Sequence, residues 1–379
     1  MIRILSVFGT RPEAIKMAPV IKELERQQET FESVSCVTAQ HRQMLDQVTS
    51  LFGILPDIDL NIMEQNQSLA SLSARAVSAL SDVVEKVQPD WLLVQGDTTT
   101  AMVAALAGFY QQVPVGHIEA GLRTGSRYSP FPEEMNRRLI SQLATYHFCP
   151  TETAVHALRQ EGVGEDCIFL TGNTVIDALH WVISKSPSEA CRRIFGELGI
   201  SPDGKMAKDG RLLLVTAHRR DNFGTPLENI CRALREIARR NPDVHIVYPV
   251  HLNPNVQKPS FGILQDESRV CLLKPLDYET FAHLMKVSFL VLTDSGGVQE
   301  EAPSLGKPVL VLRQETERPE AVISGTVKVI GTECENIVRE TQNLLSDRDT
   351  YARMARAVNP YGDGRASQRI VARLQILPG

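Results

Sequence analysis

The chain has 379 residues, 43% of them hydrophobic and 22% charged, with a net charge of −5. That length is too great for one ordinary core and predicts two domains; the acidic balance argues against a broad nucleic-acid face, which needs a basic surface. Seven cysteines (Cys36, Cys149, Cys167, Cys191, Cys231, Cys271 and Cys334) are scattered with no C-x-x-C pair, as expected of reduced intracellular thiols. "MIRILSVFGTR" is too short and too quickly charged for a signal peptide, and no apolar run approaches a membrane span. A cytoplasmic protein with no membrane or nucleic-acid partner is the expectation.

In chain order, "IRILSV", "SVSCVTA", "WLLVQ", "VPVGHIE", "YHFCP" and "IFLTG" read as buried strands, with helical patterns such as "PEAIKMAPVIKELERQ" and "TTAMVAALAGFYQQ" between them. The second half repeats the scheme with "RLLLVTA", "VHIVYPV", "RVCLLKPL", "FLVLTD", "PVLVLR" and "TVKVIG". Strands alternating with helices predict parallel sheets and a doubly wound α/β fold, here as two Rossmann-like domains over 1–171 and 172–361. In such sheets ligands bind beyond the carboxyl ends of the strands, so the loops after each strand are where chemistry is sought.

The first such loop is "SVFGTRPEAIKMAP", where Thr10 and Glu13 fit a capping box and Pro12 suits the first helical turn. Capping does not explain Arg11, since a cation at a helix N-terminus is locally unfavourable. With Lys16 it argues for an anion at that terminus, although neither a Walker A loop nor G-x-G-x-x-G is present. In "LLVQGDTTTAMVAA", Asp97 serves equally as an N-cap or as a functional acid. In "HIEAGLRTGSRYSPFPEEMNRR", Glu119 ends a strand before Ala-Gly and should face the ligand; Glu133 and Glu134 open a helix, and Glu134 needs no role beyond complementing its dipole. His218, Arg219 and Arg220 crowd one strand end, which suits a diphosphate. Ser295, Gly296 and Gly297 bare backbone N–H groups before a helix, as phosphate nests do, and Glu300 or Glu301 could accept from ribose hydroxyls. Arg318 lies in a further loop, "ETERPEA". The histidines and cysteines show no metal-ligand spacing, so no metal and no cofactor are expected.

Taken together, "FGTRPEAIKMAPVI", "TAQHRQMLDQV", "QGDTTTAMVAA", "GHIEAGLRTG", "YSPFPEEMNRR", "TGNTVIDAL", "TAHRRDNFG", "VYPVHLNPNV", "LTDSGGVQEEAPSLGKPVLVLR", "TERPEA" and "NPYGDGRAS" resemble the bacterial non-hydrolysing UDP-N-acetylglucosamine 2-epimerases, in family order and over nearly the whole chain. The resemblance implies a GT-B fold, two Rossmann-like domains with a cleft between them and a C-terminal helix, about 362–379, packing back on the first domain. It implies a homodimer acting on UDP-GlcNAc and UDP-ManNAc for cell-surface polysaccharide synthesis. It carries nucleotide contacts onto Arg11, Lys16, Phe281, Ser295, Gly296, Gly297, Glu301 and Arg318, and a catalytic set onto Asp97, Glu119 and Glu133, with His218 near the diphosphate. Allosteric activation by substrate falls on Gln40, Gln43, Glu133, Arg219 and His251, but Asn66 stands where Arg is frequent, which should weaken diphosphate binding there. Leu276 replaces a frequent Gln near the base, and Asp221 a usual Glu.

The C2 proton of the sugar has no adjacent carbonyl and is not acidic, so direct deprotonation is not a route. The family solution is elimination of UDP to 2-acetamidoglucal followed by re-addition, which needs acid/base groups on both faces of C2 and a hold on departing UDP. Rival readings are a GT-B glycosyltransferase, which needs an acceptor, a hydrolysing epimerase, and a nucleotide-sugar sensor with no use for three acids.

Overall fold

A computed structural model describes residues 1–38, 42–62, 67–201, 204–206 and 210–377. They divide into two units, Met1–Trp181 with Tyr361–Gly379, and Val182–Pro360. The division falls after Trp181 and before Tyr361, where the sequence reading placed it at 171/172 and 361/362. The physical reason for the later first crossing is the helix that begins at Thr174: Asp177 caps the returning C-terminal helix, and Trp181 stacks on Phe52 at 4.5 Å.

The first unit runs β1 (Ile2–Phe8), α1 (Arg11–Arg26), β2 (Phe31–Val37), α2 (Arg42–Phe52), β3 (Ile58–Asp59), α3 (Leu69–Val87), β4 (Trp91–Gln95), α4 (Thr99–Tyr110), β5 (Val115–Ile118), α5 (Glu133–Leu143), β6 (Tyr146–Cys149), α6 (Glu152–Gln160), β7 (Ile168–Leu170) and most of α7 (Thr174–Ser184), whose end from Val182 on belongs to the second unit. The second holds α8 (Glu189–Glu197), β8 (Arg211–Thr216), α9 (Thr225–Arg240), β9 (Val244–Pro249), α10 (Pro254–Leu264), β10 (Val270–Leu273), α11 (Tyr278–Val287), β11 (Leu290–Thr293), α12 (Gly296–Ser304), β12 (Val309–Val311), α13 (Pro319–Ile323), β13 (Val327–Val329), α14 (Cys334–Ser346) and α15 (Arg348–Arg356). The chain then returns to the first unit as α16 (Ala366–Ile376).

The strands form two sheets, of order β3-β2-β1-β4-β5-β6-β7 and β10-β9-β8-β11-β12-β13, parallel throughout. Each order reverses once, between β1 and β4 and between β8 and β11. These are the topological switch points, where a crevice opens at the carboxyl ends of the strands. The central strands read as continuous apolar runs because helices cover both faces; all of β4 is buried. Packed helices leave little room at the strand ends. A Cβ on Gly9 would sit 2.2 Å from Thr38 Oγ1, and one on Gly121 would sit 2.3 Å from the backbone oxygen of Ala154. In the first unit α16 buries Ile370, Val371 and Leu374 completely, each worth roughly 1.5–3 kcal/mol on transfer from water.

Candidate functional site

The first switch point collects the end of β1, the β4–α4 turn and the end of β5. Thr10 caps α1 and forms the anticipated capping box with Glu13. Glu13 goes further than a local cap: it is fully buried, accepts from the backbone N–H groups of Gly9 and Thr10, and takes a 2.6 Å bond from the Thr98 hydroxyl on the neighbouring turn. Burial pushes its carboxyl above the usual range against the pull of those donors. Thr98 is the N-cap of α4, which releases Asp97 from that duty. Arg11 is half-buried and has no hydrogen bond or ion pair among the described residues.

Glu119 stands just past β5 with φ +64°, a left-handed conformation uncommon outside glycine. Its side chain is 5% exposed and pairs with Lys16 Nζ at 2.5 and 2.7 Å. Gln95, the last residue of β4, and Asn173 also donate to this carboxylate, Asn173 at 3.0 Å. His117 Nε2 donates to Gly96 O at 2.7 Å, and the ring faces His147 edge-on with centroids 6.5 Å apart. Desolvation holds both rings neutral, lowering their pKa values to about 4 for His117 and about 3 for His147.

The carboxylate of Asp97 is bound by Arg137 of α5 at 2.7 Å, and Asn136 donates to the Asp97 carbonyl. Glu133, one turn earlier, buries Oε2 with no hydrogen-bond partner. Glu134 is not merely a dipole complement. It is fully buried, accepts from Thr124 N at 3.0 Å and pairs with Arg137 and Arg138. Burial pushes its carboxyl up, but these donors hold it below the ordinary value. It thereby ties the 124–132 loop to α5.

At the second switch point the β8 loop and the start of α12 meet. Buried Asp294 accepts from the N–H groups of His218 and Arg219 and from the Asn222 amide. His218 stacks on His251 with centroids 5.7 Å apart. Desolvation lowers the His218 pKa, with Asp294 opposing and His251 and Arg219 adding to the fall. A Cβ on Gly296 would lie 3.7 Å from a terminal nitrogen of Arg219 and equally near one of Arg318, so two guanidinium groups converge on the first turn of α12. Free N–H groups and the positive dipole end point the same way. Ser295 holds the N-cap position of α12 without a side-chain cap bond, and Gly297 follows in the first turn.

Glu301 accepts a 2.6 Å bond from Tyr278, and Glu300 pairs with Arg318. Phe281 is half-buried on α11, one turn on from Tyr278. Asp221 is exposed, with Arg313 3.7 Å away. Gln40 and Asn66 lie outside the described residues, as does the side chain of Gln43.

Sequence reading did not single out Gln95, Arg137, Asn173 or Asp294. Gln95 and Asp294 were open to the strand-end rule, and Asn173 to the "TGNTVID" stretch; nothing local marks Arg137. Among the described residues no group of three His, Cys, Asp or Glu side chains could hold a metal ion, and no helix is long and apolar enough to cross a membrane.

The family model described as UDP-N-acetylglucosamine 2-epimerase matches residues 22–375. The UDP-N-acetylglucosamine 2-epimerase of Yersinia pestis is 54% identical, over 98% of each chain, and that of Escherichia coli K12 is 53% identical over the same shares. Among solved structures, the UDP-GlcNAc 2-epimerase of Neisseria meningitidis bound to UDP-GlcNAc superposes with a TM-score of 0.88 at 50% identity, covering 98% of this chain and 99% of that one. The Methanocaldococcus jannaschii enzyme in complex with UDP-GlcNAc and UDP gives 0.79 at 31% identity, with the same coverage. The whole-chain matches take in both sheets, with GT-B architecture, and both switch-point clusters, and the chain belongs to the UDP-N-acetylglucosamine 2-epimerase family.

Proposed function

We propose that this protein interconverts UDP-GlcNAc and UDP-ManNAc by inverting C2 of the sugar, with the nucleotide retained in the product. The observation that carries the reading is the carboxylate of Glu119, buried at a strand end of the first switch point and ringed by Lys16, Gln95 and Asn173. A buried carboxylate held by that many donors is organised for chemistry rather than for solubility. Family membership supplies the substrate class.

In this reading a base removes the C2 proton while UDP leaves from C1, and the 2-acetamidoglucal so formed takes UDP back with protonation on the opposite face. Asp97, Glu119 and Glu133 are the acid/base set, with Asp97 assigned the first abstraction. Arg137 orients Asp97 through its 2.7 Å contact. The second unit holds the departing diphosphate: Arg219, Arg318 and the first turn of α12 offer positive charge and N–H donors, and His218 stands on the same strand-end loop. Arg11 and Lys16, in the first two turns of α1, are the cations of the first unit assigned to the nucleotide. Phe281 and Glu301 are assigned to the nucleoside. The product supplies ManNAc for cell-surface polysaccharide.

The deciding experiment is proton NMR of the purified protein with UDP-GlcNAc in D₂O. Growth of a UDP-ManNAc anomeric signal, with deuterium entering C2, is expected. Free ManNAc in place of the UDP-linked product would indicate hydrolysis. Unchanged substrate after long incubation would point to a transferase awaiting an acceptor, or to a sensor.

A further inference from the structure

Asp294 follows β11 and is completely buried. Its two carboxylate oxygens differ sharply. Oδ2 accepts three hydrogen bonds, from His218 N and Arg219 N at 2.7 Å and from Asn222 Nδ2 at 3.0 Å. Oδ1 is buried and has no hydrogen-bond partner. The imidazole of His218 places Nδ1 3.5 Å from Oδ1.

Strapping the β8 loop to β11 explains Oδ2 fully. It leaves Oδ1 unexplained, and a buried carboxylate oxygen with no donor is costly enough to need a reason. A proton on His218 Nδ1 supplies one, and a small ring rotation closes the bond; such bonds are often long before substrate binds.

We propose that Asp294 is a positioning residue for His218: its Oδ1 accepts from a proton-bearing Nδ1 and fixes the tautomer in which Nε2 is the nitrogen left for ligand. The other charged and titratable groups facing this ring agree with that assignment. His251, stacked on it from the loop after β9, has its own Nδ1 accepting from Asn253 N at 3.1 Å, so it presents no Nδ1 proton. Arg219, on the same loop, is drawn toward Glu317 and the start of α12 and donates nothing to Oδ1. Asp294 is then the group that sets which edge of His218 carries hydrogen.

The consequence for turnover rests on the epimerase reading. As UDP leaves C1, negative charge grows on the departing diphosphate oxygen. His218, which takes up a second proton from solvent at Nε2 once the anionic diphosphate is bound, donates Nε2–H toward it while Nδ1–H stays on Asp294, and the buried carboxylate stabilises that cation. Asparagine at 294 still offers one oxygen to the two backbone N–H groups. It turns an amide N–H toward Nδ1, which selects the opposite tautomer.

The test is long-range proton–nitrogen NMR of the full chain labelled with ¹⁵N-histidine, the His218 signals being assigned by their loss in His218→Gln. Wild type is expected to show His218 protonated at Nδ1, and Asp294→Asn to show it protonated at Nε2. In the same variant kcat for UDP-GlcNAc epimerisation is expected to fall at least about 100-fold, with KM changed by less than about 3-fold. Asn222→Ser, which loosens the strap without touching Oδ1, should lower the melting temperature and leave the tautomer as in wild type. A wild-type His218 protonated at Nε2, or an Asp294→Asn protein that keeps Nδ1–H, overturns the assignment. So does a switched tautomer with unchanged kcat. A wild-type protein with no epimerase activity would sink the functional reading alone, because the tautomer spectra still decide the role of Asp294.

Discussion

Lys16 Nζ sits 2.5 Å from Glu119 Oε1, and the two side chains are only 17% and 5% exposed. One comes from the second turn of α1 and the other from the end of β5, so the pair pins a helix to a strand end across the switch point. Removing one partner of a buried pair leaves an uncompensated charge, which costs about 3 kcal/mol. Lys16→Met should therefore destabilise the first unit by about that amount in urea unfolding. Adding Glu119→Gln to it should recover part of the loss, since the lone charge is then gone, although only one of the Gln95 and Asn173 amides still meets an oxygen. A neutral Lys16→Met would show that the pair contributes nothing to holding the unit together.

His117 and His147 make the first unit acid-sensitive. Both titrate near 6.5 in an unfolded chain, whereas burial lowers them to about 4 and about 3 in the folded one. Below pH 6.5 the unfolded chain therefore binds protons that the folded unit refuses, and stability falls as pH drops toward those values. Each pH unit well inside that window costs about 1.4 kcal/mol per histidine. Replacing His147 by Gln should remove one proton's share of the slope between pH 6.5 and about 5. Denaturation midpoints across that range supply the measurement, and parallel curves for variant and wild type would mean that His147 is not held neutral.

Local signals were legible in the sequence and distant ones were not. The Thr10–Glu13 box is written within four residues, and the structure forms it. Glu13's bond to Thr98 spans 85 positions and leaves no local trace. The apolar strands were readable from their run length, but β3 covers only two residues and has no pattern of its own. Glu119 was found because it ends a strand before Ala-Gly. Its partners Gln95 and Asn173 lie 24 and 54 residues away, and a neutral amide announces no chemistry. Glu134 carries no signal of its own in the sequence, because an acid in a first helical turn is ordinary; its complete burial, which makes it a loop anchor, is a property of the packed chain.

Adjacent glutamates on α5 should separate activity from stability. Glu133 Oε2 is buried without a hydrogen-bond partner, so Glu133→Gln breaks no hydrogen bond at that oxygen and should leave stability within about 1 kcal/mol. If Glu133 serves as an acid or base, turnover falls about 100-fold or more. Glu134→Gln places an amide N–H against Thr124 N or the guanidinium groups of Arg137 and Arg138, and should cost about 2 kcal/mol. Initial rates and thermal melts on the two variants decide the matter; a Glu133→Gln protein with full activity would remove Glu133 from the catalytic set.

The C-terminal helix should depend on one carboxylate far away in sequence. Asp177 accepts from Ala366 N at 3.1 Å and from Ser367 N and Oγ at 2.8 and 2.6 Å. It thus caps α16 in place of Arg365, which makes no side-chain cap bond. Asp177→Ala leaves these buried N–H groups unmet and should cost about 3 kcal/mol, whereas Asp177→Asn keeps one acceptor oxygen and should cost about 1 kcal/mol. Hydrogen exchange is the fitting probe, because the first turn of α16 should lose protection before Ile370, Val371 and Leu374 leave the core. If α16 stays fully protected in Asp177→Ala, its apolar face alone holds the returning chain and the cap is dispensable.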